Sequence, residues 1–137
     1  MLPIKHWRTQ FDGRLPIYEQ IVQFFCRCLV KGELTPGERI PSIRDIALEL
    51  GVNANTIQRA YQEMERGGLI YSKRGMGYYI VEDESVVDGV RDDMVGKAVK
   101  TFIADMYSMG YCSAAILQAL EKAVEEEGVG ANASAEN

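Results

Sequence analysis

A chain of 137 residues, 47% hydrophobic and 26% charged, holds the apolar material for one small domain plus an appendage. It contains no run of about 18 apolar residues that would span a membrane, and its first ten residues, MLPIKHWRTQ, lack the apolar stretch of a secretory signal, so a cytoplasmic location without a membrane partner is expected. The net charge of −5 argues against a nucleic-acid partner only until the chain is divided: residues 1–80 carry eleven Lys and Arg against eight Asp and Glu, a net +3, and residues 81–137 carry four against twelve, a net −8. Charges act over roughly 8–10 Å at physiological salt, so the basic front half decides what the front half binds.

In chain order, Pro16 is suited to the first turn of a helix. The next stretch, IYEQIVQFFCRCLVK, puts Ile17, Ile21, Phe24, Phe25, Cys28 and Leu29 on one broad helical face, and Gly32 ends it. A turn at Pro36-Gly37 leads to a short strand at Arg39-Ile40. Ser42, with Asp45 three residues on, caps a helix marked by Ile43, Ile46, Ala47 and Leu50 and ended by Gly51. Asn53 caps the next helix, whose stripe is Ile57, Ala60, Tyr61 and Met64 and whose end is Gly67-Gly68. LIYSK and GYYIV, rich in strand formers, flank RGMG and read as a hairpin. Helix, helix, turn, helix and hairpin make the order of a winged helix-turn-helix.

A charged joint at Glu82-Asp83-Glu84 opens the second unit. Residues 86–109 read as a long helix with a wide apolar band, broken by Gly110, and Ser113 is placed to cap a last helix with Ile116, Leu117, Leu120, Ala123 and Val124 as its stripe. The expected organisation is a winged helix-turn-helix domain over 1–81, a helical dimerisation domain over 82–127 and a disordered tail over 128–137, a mainly α fold with a small β wing. The band on the long helix is wider than one partner helix covers, which points to a second copy. Val90, Met94, Val95, Val99, Phe102, Ile103, Met106, Ile116, Leu117 and Leu120 are the candidate dimerisation residues. A ligand site among Met94, Met106, Met109, Tyr107 and Tyr111 is the rival reading of the same residues.

A helix that docks in the major groove needs one face to hold it on its domain and another to meet base edges and phosphates. With Ile57, Ala60, Tyr61 and Met64 turned inward, Asn53, Asn55, Thr56, Gln58, Arg59 and Gln62 remain outside. Asn and Gln can pair bidentately with adenine, Thr can touch a thymine methyl or a phosphate, and Arg reads guanine or binds phosphate. Lys73, Arg74 and Gly75 stand at the hairpin tip, and Arg44 near the start of the preceding helix is placed to clamp a phosphate.

The run LTPGERIPSIRDIALELGVNANTIQRAYQEMERGGLIYSKRGMGYYIV resembles the DNA-binding domain of GntR-family bacterial transcription regulators. The landmarks LTPG, PSIR, ALELGV, TIQRAY and GLI before a Gly-x-Gly wing carry the likeness, which extends over about residues 11–81. FDGRLPIYEQI and NANTIQRAYQEMER, with the short second unit, are most similar to the YtrA-like subfamily. The resemblance implies DNA contacts from Arg44, Asn53, Asn55, Thr56, Gln58, Lys73, Arg74 and Gly75. It also implies a homodimer on a pseudo-palindromic double-stranded operator, acting as a repressor, with a link to ABC transporter genes. Ala54 and Gln58 stand where many relatives have Arg or Lys.

No P-loop, no G-x-S-x-G and no metal-ligand spacing occur, and His6 is the single histidine, so neither an enzyme nor a metal or other cofactor is expected. Cys26, Cys28 and Cys112 are expected as reduced thiols, with a redox role for Cys112 the lesser reading. Two helices do not enclose an effector pocket of ~300 Å³ by themselves, which leaves a small-molecule effector open. The alternative function is a winged-helix module for protein–protein contact without specific DNA binding.

Overall fold

The first helix forms because its apolar residues recur at helical spacing, and its ends are made by Pro16 and Gly32. The computed structural model describes Phe11 and residues 13–135, with side chains described as far as Gly128. Helix α1 (Ile17–Lys31) buries Ile21, Phe25, Cys28 and Leu29. Pro16 is the residue before the helix rather than in its first turn, and its carbonyl accepts from the Glu19 and Gln20 amides. Gly32 takes the left-handed conformation at φ 80° that ends the helix. Strand β1 (Arg39–Ile40) follows, then α2 (Ile43–Leu50), α3 (Ala54–Arg66), β2 (Ile70–Lys73) and β3 (Gly77–Ile80).

The three strands form an antiparallel sheet in the order β1-β3-β2, with Arg39 opposite Tyr79, Tyr71 opposite Tyr79 and Lys73 opposite Gly77. Helices and sheet close on one core that includes Ile21, Phe25, Leu34, Ile40, Ile46, Ile57, Tyr61, Met64, Ile70 and Ile80. Tyr61 is its centre. Its ring meets those of Phe25 and Tyr78 edge-on at 5.9 and 5.0 Å, and its hydroxyl donates to the Pro41 carbonyl at 2.7 Å. Burial is the main cause that pushes the Tyr61 phenol far above the ordinary tyrosine range, with Tyr78 and then Asp45 adding to it. This is a mainly helical winged helix-turn-helix, as the sequence pattern predicts.

Helix α4 (Glu84–Ser108) and helix α5 (Ser113–Ala135) complete the chain. The chain divides into two compact units between Asp93 and Met94, inside α4 and beyond the expected boundary at 81/82. The reason is packing: Val87 is part of the first unit's core, and Val86 and Val90 lie against it. Val90, one of the expected dimerisation residues, is half-buried and lies partly against this core. Ser113 is the first residue of α5, and the preceding Cys112 supplies the carbonyl that accepts from the Ile116 amide. The backbone of α5 stays helical through Ala135, into the segment 128–137 expected to be a disordered tail. Residues 136 and 137, like His6, lie outside the described residues.

Candidate nucleic-acid interface

Two N-caps set the helix-turn-helix. The Ser42 hydroxyl accepts from the Asp45 amide at 3.1 Å, and the Asn53 side chain accepts from the Asn55 amide at 2.8 Å. Between them, Gly51 at φ 66° turns the chain from α2 to α3, a conformation that costs a side-chain-bearing residue roughly 1 kcal/mol or more.

Helix α3 is divided sharply around its circumference. Ile57, Ala60, Tyr61 and Met64 are at most 1% exposed, while Asn53, Asn55, Gln58, Arg59 and Gln62 are exposed and Thr56 is half-buried. Among the described residues, the side chains of Asn55, Thr56, Gln58 and Gln62 make no hydrogen bond. Asn53 is committed to its cap through one oxygen, which leaves its amide NH₂ free to donate.

Arg59 behaves differently from its neighbours. Its guanidinium stacks over the Tyr18 ring of α1 at 4.1 Å, and Nη2 donates to the Tyr18 hydroxyl at 3.3 Å. The side chain is therefore tied to α1 and presents a held cation. A partner forty-one positions away leaves no local signal in the sequence.

The hairpin turn closes with the Met76 amide donating to the Lys73 carbonyl at 2.9 Å. Gly75 at φ 74° occupies the third turn position, where a positive φ favours glycine. Lys73, Arg74 and Gly75 are all exposed at this tip. The Lys73 ammonium lies 4.5 Å from the Tyr79 ring centre and 5.9 Å from that of Tyr71. Arg44, Lys73 and Arg74 enter no ion pair among the described residues. Three unneutralised cations on a winged helix suit a polyanion.

The described residues contain no group of three or more His, Cys, Asp or Glu placed to hold a metal ion, and no described helix is long and apolar enough to cross a membrane. In the second unit, Val95, Val99, Leu117 and Leu120 are exposed, Met94, Phe102, Ile103 and Met106 are half-buried, and Ile116 is buried.

Comparison with known proteins agrees with this geometry. Residues 17–80 match the family described as bacterial regulatory proteins, gntR family. The chain is 39% identical over 118 residues to YhcF of Bacillus subtilis, an uncharacterised HTH-type transcriptional regulator, covering 85% of this chain and 97% of that protein. It is also 39% identical over 105 residues to the HTH-type transcriptional repressor YtrA of Bacillus subtilis, covering 74% of this chain and 80% of that one. A solved GntR family transcriptional regulator from Listeria monocytogenes superposes with a TM-score of 0.78 at 36% identity, over 82% of this chain and 98% of its own. These relatives are regulators rather than enzymes. With its helix-turn-helix, its basic wing and a likeness that runs on into the second unit, the chain belongs to the gntR family of bacterial regulatory proteins and is YtrA-like within it.

Proposed function

We propose that this regulator binds a pseudo-palindromic operator as a homodimer and represses transcription from it. One observation carries the reading: the side chains of Asn55, Thr56, Gln58 and Gln62 on α3 have no partner among the described residues, while the opposite face of that helix is wholly buried. Base edges in a major groove supply the donors and acceptors these side chains lack. Asn53, Asn55, Thr56 and Gln58 are assigned to the groove and its edges, and Arg44, Arg59, Lys73, Arg74 and the Gly75 backbone to flanking phosphates.

The homodimer is assigned to α4 and α5 through Met94, Val95, Val99, Phe102, Ile103, Met106, Ile116, Leu117 and Leu120. A two-fold dimer would present two copies of α3 to two half-sites. Likeness to YtrA supports repression. Transporter genes are the proposed targets, which the neighbouring genes would test.

The deciding experiment titrates the purified chain against DNA from its own upstream region, at several salt concentrations and with competitor DNA. The expected result is competitor-resistant binding of one dimer per site, with log affinity falling linearly with log salt at about 0.9 per phosphate contact. Binding that is indifferent to salt and abolished by competitor would overturn the proposal in favour of a protein–protein module.

A further inference from the structure

We propose that the outer face of the three-stranded sheet is a second DNA-phosphate surface, with Arg39 as its principal cation, extending the footprint beyond α3 and the wing tip. The inference rests on the DNA-binding reading above and adds a residue and a surface to it.

Alternate residues of a strand point to opposite faces of a sheet. Ile40, Ile70 and Ile80 are buried and Tyr78 packs on Tyr61, so one face is the core face. Arg39, Tyr71, Lys73, Gly77 and Tyr79 share the other. The pairings Arg39 with Tyr79, Tyr79 with Tyr71, and Gly77 with Lys73 lay these residues out as two adjacent rows.

Glycine at 77 makes room for the arginine. A Cβ there would lie 3.2 Å from Arg39 Nε and 3.3 Å from Nη2, so the guanidinium lies across the hairpin at the position of the missing side chain. Tyr71 and Tyr79 stack with centroids 5.8 Å apart and planes 23° apart, and the Lys73 ammonium sits over that pair.

Two cations thus share one sheet face, Lys73 over the tyrosine pair and Arg39 across Gly77, next to the tip cation Arg74. Neither Arg39 nor Lys73 has a carboxylate in ion-pair contact among the described residues. The carboxylate at this face's edge, Glu82, accepts from the Tyr71 hydroxyl at 3.3 Å. Lys73 rests over the tyrosine rings and Arg39 lies across Gly77 with its guanidinium open to solvent, so both cations are available to an anion. Continuity with the wing tip makes the sugar-phosphate strand beside the operator that anion.

The test measures log affinity against log salt for the full chain on operator DNA, with Arg39→Ala, Arg39→Gln and Arg39→Lys beside the parent. Arg39→Gln keeps most of the side chain and so guards against a change in wing packing. Arg39→Ala and Arg39→Gln are expected to lower the slope by about 0.9 and to weaken operator and competitor binding by the same factor. Arg39→Lys should restore the slope, and hydroxyl-radical protection should recede at the outermost phosphates in the neutral variants. Neutral variants with the parental slope and footprint would overturn this inference and leave the operator reading intact. Loss confined to the operator with an unchanged slope would mean a base contact and would also overturn it. A parent without salt-dependent binding would overturn the operator reading itself.

Discussion

The two units of this chain solve the same problem differently. The winged unit encloses a core within one chain, where Ile21, Phe25, Ile46, Ile57 and Ile80 have no exposure at all, although Leu48 and Met76 remain outside it. In the second unit several apolar residues stay outside, with Leu117 at 61%, Val95 at 56% and Val124 at 55% exposed; Met94, Phe102, Ile103 and Met106 are half-buried, and Ile116 is the one buried hydrophobic residue there among the described residues. A three-stranded sheet with three helices can surround a core, whereas two helices can only face each other. The first unit closes a core of its own, whereas the second leaves Val95, Val99, Leu117, Leu120 and Val124 exposed.

Damage to the completed core should produce the largest effect. Phe25→Ala removes a ring wedged edge-on against Phe24 and Tyr61, and should destabilise the winged unit by ~3–5 kcal/mol in denaturant melts. Leu117→Ala, at an exposed position, should leave the monomer's stability within ~0.5 kcal/mol. Equal losses at the two positions would erase the contrast between the units.

The second unit should instead respond in its assembly. Replacing Phe102 and Met106 together by Lys places two charges in the proposed interface, and light scattering should then report the monomer mass. An unchanged dimer mass would move the interface elsewhere. On DNA, Gln58→Ala should cost ~1–3 kcal/mol on the operator alone, whereas Arg44→Ala should weaken operator and competitor together and flatten the salt slope by about one contact.

Tyr61→Phe should have a smaller effect, ~1 kcal/mol, for the lost hydrogen bond to Pro41. It also has a pH signature. The folded phenol holds its proton well above pH 10, where the unfolded chain releases it, so the parent's stability should fall as pH rises above about 10. The Tyr61→Phe variant should lose that part of the decline. The mildest probe is thiol labelling. Burial, with help from Glu33 and against Lys31, pushes the Cys28 thiol up to about 11. Alkylation of the folded protein at pH 8 should reach the exposed Cys112 and spare Cys28 until the chain unfolds.

Much of the candidate site was legible because its signals are local. Ser42 and Asn53 as caps, Gly51 as the turn, and the inward stripe of Ile57, Ala60, Tyr61 and Met64 all follow from residues within a few positions of one another. The same periodicity left Asn55, Gln58 and Gln62 outside. The end of the winged unit was not legible: the charged joint at 82–84 is a plausible boundary, but Val87 is drawn back into the core from beyond it. A composition shift records where charge changes, not where packing ends.

Other features had no sequence signal at all. Arg39 reads as one more exposed residue of a two-residue strand until the register brings it across Gly77, and Arg59 reads as a free cation until Tyr18 is found beneath it. The sequence by itself determined the helices, their caps, the wing turn and which face of α3 is polar, because backbone propensity and side-chain period act over a few residues. Only the tertiary structure decided which cations are held, which valines of α4 belong to the first core, and which apolar surface the second unit leaves uncovered. Those outcomes depend on contacts between residues far apart in the chain, which form only when the elements pack.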